Sequence, residues 1–283
     1  IKMYEDQPVS RLYSETLSAM YLEHPVRIDI AGTEDSIQQI TKELLYLCHS
    51  NFYTPSNATL FIAGDFDPEE AFDAAQKAIA KLGPKGGESA VRVGSEEPAR
   101  VGDNVRLSMP VPTPLLQVGW KDSNSLKGRG LVLRELAASL VLEIVFGTSS
   151  PFFSKIYKEG LTDDLSFSYE AWPGYAFASV AAESDQPERL VDMILQEADI
   201  VREKGVDSNE FERKKKSATG RFVTLFNSFD AVARTQVHLA RAGLDIFTYG
   251  EMLRNLNMDD LLACSDILNS TNGVNVVIKD GAT

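Results

Sequence analysis

The stretch that decides the fold is "ITKELLYLCHSNFYTPSNATLFIAGD", Ile40–Asp65, because the chain contains a second version of it. It aligns without a gap with "LNMDDLLACSDILNSTNGVNVVIKDG", Leu256–Gly281, at a constant offset of 216 positions (256 − 40 = 216; 281 − 65 = 216). Apolar residues coincide wherever burial matters, as at Leu45 and Leu261. The pattern in each copy is an amphipathic helix followed by a strand. The sequence therefore predicts an internal duplication with two homologous units.

The offset also predicts where the two units lie. If the second unit begins near Asn104, the first would begin at position 104 − 216 = −112, ahead of Ile1. We therefore expect residues 1–85 to be the C-terminal half of a first unit and residues 104–283 to be a second unit. Residues 86–103 lie in a stretch rich in Gly, Pro and small polar residues, which is typical of a linker. Without its first strands, the first unit is expected to expose an apolar surface.

Composition limits the classes of function. With 43% hydrophobic and 24% charged residues and no apolar run of membrane-spanning length, the chain is expected to be a soluble protein without a membrane partner. Its net charge of −13 argues against nucleic acid and favours basic peptides as partners. The two cysteines, Cys48 and Cys264, fall on the apolar faces of predicted helices at equivalent positions of the repeat, which argues against a disulfide framework and favours a reducing compartment.

Helix start signals divide the first 85 residues. Thr33 and Thr41 can each accept a hydrogen bond from a free backbone N–H group at a helix start. Asp67 followed by Pro68 predicts the start of another helix. Between them, Ala58–Ala63 is short, apolar and partly β-branched, so we predict a buried strand there.

The second unit is predicted to combine strands and helices. Strands are expected at Val105–Val111 and Leu115–Trp120, and the alternating segment "SFSYEAWPGYAFASVAAES" around its Pro-Gly pair predicts a hairpin. Helices are expected at Leu131–Phe146, Pro187–Lys204, Ser208–Phe226 and Asp230–Ala242. The second version of the repeated helix and strand, Leu256–Gly281, is expected at the C-terminal end.

Four segments together resemble one protein family. They are "MYEDQP" (3–8), "HPVRIDIAGTEDSIQQITKELL" (24–45), "NFYTPSNATLFIAGDFDPEE" (51–70) and "LEIVFGTSSPFFSKIYKEGL" (142–161). Their sequences resemble the insulinase (pitrilysin and mitochondrial processing peptidase) family of zinc metallopeptidases. They are most similar to a bacterial branch of soluble cytoplasmic peptidase-like proteins, so the resemblance implies a cytoplasmic location. The resemblance implies an α+β fold of tandem units around a chamber, each a mainly antiparallel sheet with helices packed on one face. The first of these units would be incomplete in this chain.

The resemblance implies zinc chemistry that this chain does not contain. The family's catalytic motif is His-x-x-Glu-His on a helix of the first unit, where two histidines bind zinc and the glutamate activates the metal-bound water. The histidines here, His24, His49 and His238, do not form such a motif. We therefore expect no metal site and no catalytic residue in these 283 residues, and zinc only in a longer parent protein.

The second unit of active relatives contributes an Arg and a Tyr to substrate binding, in a pattern like "LREEGLAY". The equivalent run here is "IYKEGLTD", Ile156–Asp163, with Tyr157 in place of the Arg and Asp163 in place of the Tyr. The resemblance thus implies Tyr157 and Asp163 as the substrate-binding positions, with side chains that depart from the family's pattern.

Two functions remain open from the sequence. The chain is either the C-terminal part of a zinc metalloendopeptidase, contributing chamber wall and contacts to a peptide or unfolded polypeptide, or a noncatalytic peptidase-like protein. The second kind of protein would bind a peptide, or pair with a homologous partner subunit or with another copy of itself. An HxxEH motif ahead of Ile1 would favour the first function, and its absence the second.

Overall fold

A computed structural model describes residues 1, 6–82, 97, 100–123 and 126–281 of the chain. Its helices are Pro8–Met20 (α1), Glu34–Gln38 (α2), Lys42–Phe52 (α3), Pro68–Lys81 (α4), Gly128–Phe146 (α5), Pro151–Lys158 (α6), Pro187–Lys204 (α7), Ser208–Leu225 (α8), Phe229–Ala240 (α9), Ile246–Asn255 (α10) and Met258–Leu262 (α11). Its strands are Val105–Ser108 (β1), Leu115–Asp122 (β2), Ser166–Trp172 (β3), Tyr175–Glu183 (β4) and Gly273–Lys279 (β5). No helix in these described ranges is both long and apolar enough to cross a bilayer.

The strands form one sheet in the order β1-β5-β2-β4-β3. β1 runs parallel to β5, while the β5–β2, β2–β4 and β4–β3 pairs are antiparallel. β5, which belongs to the second of the two aligned segments, is therefore a central strand with a neighbour on each side. This architecture confirms the predicted α+β fold with a mainly antiparallel sheet.

The main core lies between one face of the sheet and the helical layer. Alternate side chains of β2 point into it, so Leu116, Val118 and Trp120 are fully buried. Helix α5 packs against them and is buried on most of its circumference, which explains its near-uniform apolar sequence. The predicted hairpin is confirmed as β3 and β4, joined at Pro173-Gly174, and Gly174 has a φ of 104°, which favours glycine.

Helix α1 covers part of the opposite face of the sheet. Leu17 and Met20 pack against Phe177 and Val274 in a buried cluster of their own. A β-carbon at Gly119 of β2 would lie 2.8 Å from Met20 Sδ, so glycine leaves the space that the helix occupies. A helix assigned by sequence to the first unit thus contacts the sheet of the second.

A polar contact between partly exposed side chains ties α1 to β3. The Tyr13 hydroxyl donates a hydrogen bond to the Glu170 carboxylate at 3.3 Å. Burial raises the pKa of Glu170 above its ordinary range, although the Tyr13 hydrogen bond partly opposes this effect. The ionised carboxylate therefore destabilises the folded state, and this cost appears as pH rises through the interval between the ordinary and the raised pKa.

Glu170→Gln is expected to raise the free energy of unfolding at pH 7 by about 0.5 kcal/mol, because the neutral amide still accepts from Tyr13 without the cost of burying charge. Below about pH 4 the gain should vanish, since the carboxyl is then protonated in both states. Urea unfolding at the two pH values measures the effect. Glu188→Gln serves as the control and should give no gain, because a hydrogen bond from Lys279 lowers the pKa of Glu188. Equal changes at pH 4 and pH 7 would contradict this explanation.

The predicted helix starts of the first 85 residues are confirmed. Thr33 and Thr41 accept hydrogen bonds from the N–H groups of Ser36 and Leu44. Asp67 accepts from two N–H groups, and Pro68 occupies the first helical position. Local capping chemistry therefore operates here without support from a packed core.

The predicted buried strand Ala58–Ala63 is wrong for this chain. The segment lies outside the sheet, and Leu60 and Ile62 are 63% and 49% exposed. The physical reason is that no neighbouring strand in the described ranges pairs with it, whereas β5, with which it aligns in sequence, has two. Most of the predicted linker 86–103 lies outside the described residues.

Candidate functional site

A cavity of about 510 Å³ lies where β2 begins and β4 ends. The amino-terminal half of α1, the loop after α6 and the first residue of β3 complete its wall. Its lining residues are Val9, Leu12, Thr113, Leu115, Gly160, Leu161, Thr162, Asp163, Asp164, Ser166, Ala181, Ala182, Glu183, Ser184 and Asp185.

Local hydrogen bonds hold the backbone of the loop after α6. The helix ends at Lys158, Gly160 follows two residues later with a φ of 66°, and the N–H of Leu161 donates to the Ile156 carbonyl at 3.0 Å. The Thr162 hydroxyl donates to the Asp164 carbonyl at 2.8 Å and accepts from the Asp164 N–H. These bonds order the backbone that carries Asp163 and Asp164.

The charged residues that line the cavity are all acidic. Four of its lining residues are acidic, namely Asp163, Asp164, Glu183 and Asp185, and none of the lining residues is a lysine or arginine. Clustered charge of one sign in a concave surface focuses the field and favours ligands of the opposite charge. The arrangement suits a basic side chain or an amino group.

The structure separates the two substrate-binding positions predicted from sequence. Asp163 lines the cavity, but Tyr157 is absent from its lining and is 57% exposed on α6. Its ring stacks on Phe153 at a centroid distance of 6.1 Å. Sequence analysis did not find Val9 and Leu12, which lie about 150 positions away, because no local signal links α1 to this loop.

A second polar cluster joins α5, α9 and β3 beside another cavity of about 430 Å³. His238 Nε2 lies 3.0 Å from a Glu135 carboxylate oxygen, and Arg241 bonds the same carboxylate at 2.9 Å. Arg241 also donates to the Ala171 carbonyl at 2.6 Å and stacks over Trp172 at 4.4 Å. These contacts anchor the end of β3 to the helices, which is a structural role.

The side chains present do not fit a zinc site. His24 Nδ1 accepts from the Val26 N–H, His49 stacks on Tyr53, and His238 belongs to the cluster with Glu135. Within the described part of the chain, no group of three or more His, Cys, Asp or Glu side chains could hold a metal ion. No metal-dependent step is therefore assigned to these residues.

Comparison with known proteins identifies the family. The sequence model of the "Peptidase M16 inactive domain" matches residues 39–218, which is more than half of the chain. The chain belongs to the peptidase M16 family. The resemblance inferred from the sequence, to the family of zinc metallopeptidases that includes insulinase, is thereby confirmed.

Individual M16 relatives agree with this assignment. The chain is 34% identical over 269 residues to the "Uncharacterized zinc protease YmfH" of Bacillus subtilis, covering 92% of this chain. It matches the crystal structure of a putative M16-like peptidase from Alicyclobacillus acidocaldarius with a TM-score of 0.92 and 31% identity, over 99% of this chain and 68% of that one. A structure of a peptidase M16 inactive domain from Pseudomonas fluorescens, at 16% identity and a TM-score of 0.83, shares the fold over 99% of this chain and 67% of its own.

The match with the Bacillus protein covers 61% of that protein's length. The chain thus spans about three fifths of this relative, so the activity of a whole M16 protein does not follow from this chain alone.

Proposed function

We propose that this chain is the noncatalytic part of an M16 zinc metalloendopeptidase and contributes chamber wall and peptide contacts. The zinc site would then lie in a part of the protein outside these 283 residues. The match to an inactive M16 domain supports the noncatalytic role, and the zinc protease name of the Bacillus relative supports zinc in the parent. The two free cysteines, Cys48 and Cys264, agree with the proposed cytoplasmic location.

The observation that carries the proposal is the acidic cavity beside Asp163. A cavity of this size accommodates a few side chains of an extended peptide. Ser166 both lines the cavity and begins β3, which is an edge strand of the sheet. Extended peptides add to such edges through main-chain hydrogen bonds. A peptide at this edge would place a basic side chain among the carboxylates.

Asp163→Lys is expected to weaken the binding of a fluorescent, unstructured, lysine-containing peptide by about tenfold, because it reverses a charge inside the cavity. Fluorescence anisotropy with the 283-residue chain measures the affinity. Glu203→Lys is the matched control, since it makes the same charge change at an exposed position of α7 outside the cavity lining.

If the two variants lose the same affinity relative to the unsubstituted chain, binding depends on net charge. That result would refute the role of the cavity. Absence of measurable peptide binding to the unsubstituted chain would also count against the proposal.

A second candidate function is that of a noncatalytic binding protein or partner subunit of an active homologue. The observation that favours it is Tyr157 in place of the expected Arg, on the outer surface rather than in the cavity. Metal content and cleavage activity of the complete gene product distinguish the two functions. A complete protein without bound zinc would support the partner subunit.

A further inference from the structure

A groove lies between α5 and the three helices α8, α9 and α10. Two neighbouring cavities form it, with volumes of about 430 and 220 Å³. The residues that line both cavities are Leu136, Ser139, Thr235 and Tyr249. Along α5 the groove extends from Val132 to Glu143, which corresponds to about 16 Å of helix. These dimensions are those of a site for a small organic molecule.

Apolar and aromatic side chains make up more than half of the lining of this groove. In the smaller cavity, the Phe222 ring of α8 lies next to the Tyr249 ring of α10, with a centroid distance of 5.8 Å and an interplanar angle of 43°. Gly250 leaves the space that the Phe222 ring occupies, because a β-carbon there would lie 2.6 Å from the ring. Two adjacent rings in one wall favour an aromatic ligand, whose own ring packs against them edge to face or offset.

The charged side chains at the α9 end of the groove are paired. His238 Nε2 and an Arg241 nitrogen lie 3.0 and 2.9 Å from the two oxygens of the Glu135 carboxylate. Arg234 donates to Asp230 of its own helix at 2.8 Å. A charged group of a ligand would therefore have to displace one of these partners.

The charged side chains at the opposite end of the groove are paired as well. Arg221 Nη2 donates to the Glu143 carboxylate at 2.6 Å, and Lys214 Nζ lies 3.4 Å from the same carboxylate. Since each charged residue of the lining has a partner of opposite charge, the groove favours an uncharged ligand.

Three residues with hydroxyl groups line both cavities, namely Ser139 of α5, Thr235 of α9 and Tyr249 of α10. None of these hydroxyls forms a hydrogen bond with another residue in the part of the chain that the structure describes. Burial raises the pKa of Tyr249, and the charge of Glu135 adds to this effect, so the Tyr249 hydroxyl stays protonated at neutral pH. Hydroxyl groups both donate and accept hydrogen bonds, and an amide group needs both kinds of partner.

We propose that this groove binds an uncharged aromatic molecule that carries an amide-like group near its middle. The amide bonds the three hydroxyls where the two cavities meet. The apolar ends of the molecule lie on either side, one against Leu239 and the other against Phe222. The groove shares no lining residue with the acidic cavity beside Asp163, so this proposal depends neither on peptide binding there nor on zinc.

The probe for this site is 4-fluoro-N-phenylbenzamide, an uncharged molecule with one ring on each side of an amide. Fluorine NMR of the probe, titrated with the 283-residue chain, measures the affinity. For a ligand of this size we expect a dissociation constant of about 0.1–1 mM. An analogue with a carboxylate on one ring should bind about tenfold more weakly, because the groove offers it no unpaired cation.

Ser139→Leu should abolish binding of the probe, because the leucine side chain fills the space where the two cavities meet. Ser139 is exposed, so the fold accommodates the larger side chain. Tyr249→Phe tests the same site without added bulk and should weaken binding about fivefold, because it removes one hydrogen bond to the ligand. Tyr157→Phe is the matched control, since it removes a hydroxyl outside the groove, and should bind the probe normally. Thermal unfolding followed by circular dichroism should show the same midpoint for Tyr249→Phe as for the unsubstituted chain.

Absence of probe binding to the unsubstituted chain would refute the proposal, as would binding that persists in Ser139→Leu. Unchanged affinity in a Tyr249→Phe, Thr235→Val double variant would refute the hydrogen-bonding role of the hydroxyls. Equal or tighter binding of the carboxylate analogue would refute the uncharged ligand class.

Discussion

Replacing Arg134 by methionine is expected to lower the free energy of unfolding by about 3–5 kcal/mol, because it leaves a buried carboxylate without its cation. Arg134 of α5 bonds both oxygens of Asp122, at the end of β2, at 2.7 and 3.0 Å. Tyr169 of β3 donates to the same carboxylate at 2.5 Å. The three residues join the helical layer to two strands. Urea unfolding followed by circular dichroism measures the loss.

The chain offers a matched control for this substitution. Arg234 also pairs with an aspartate, Asp230, at 2.8 Å, but its side chain is 80% exposed. Arg234→Met should therefore change the free energy of unfolding by less than about 0.5 kcal/mol. Adding Asp122→Asn to Arg134→Met should recover part of the loss, since no buried charge then remains at this site. Similar losses for the two arginine variants would refute the argument from burial.

The second large effect concerns activity. The 283-residue chain alone is expected to bind zinc only weakly and to leave unstructured peptides uncleaved. A catalytic zinc needs three protein ligands and an open water position. His24 and His238 are engaged with Val26 and Glu135, and the described residues bring no three suitable donors together. Mass spectrometry for metal content and a quenched fluorescent peptide assay test the two statements.

The full-length Bacillus subtilis relative, which is named a zinc protease, is the comparison protein for both measurements. One tightly bound zinc per 283-residue chain, or peptide cleavage that a chelator abolishes, would contradict the expectation. Weak zinc binding that a surface-histidine substitution such as His49→Ala removes would agree with it.

Much of the fold was predictable because its signals are local. The caps at Thr41 and Asp67 depend only on a side-chain oxygen next to free N–H groups, so the sequence places them correctly. The hairpin follows from alternation around Pro173-Gly174. Helix α6 was not predicted: although Ser150 caps it, its eight residues are too few for a clear periodicity.

The candidate site was only partly predictable. The family resemblance placed Asp163 at a loop that does line a cavity, but it gave no indication that Tyr157 lies elsewhere. The opposite wall contains Val9 and Leu12 of α1. An apolar helix face predicts that the helix packs against another apolar surface. The sequence pattern does not identify which surface that is. Only the packing of α1 against the sheet decides that these residues reach the loop.

The sequence alone determined the helix caps and the pattern of apolar residues in the two aligned segments, Ile40–Asp65 and Leu256–Gly281. Tertiary structure decided which of these apolar residues are buried. Leu60 and Val276 align in sequence, yet Leu60 is exposed and Val276 is buried in the sheet. The physical reason is that strand formation and burial require neighbouring strands and a facing helix. β5 has both among the described residues, and residues 58–63 do not.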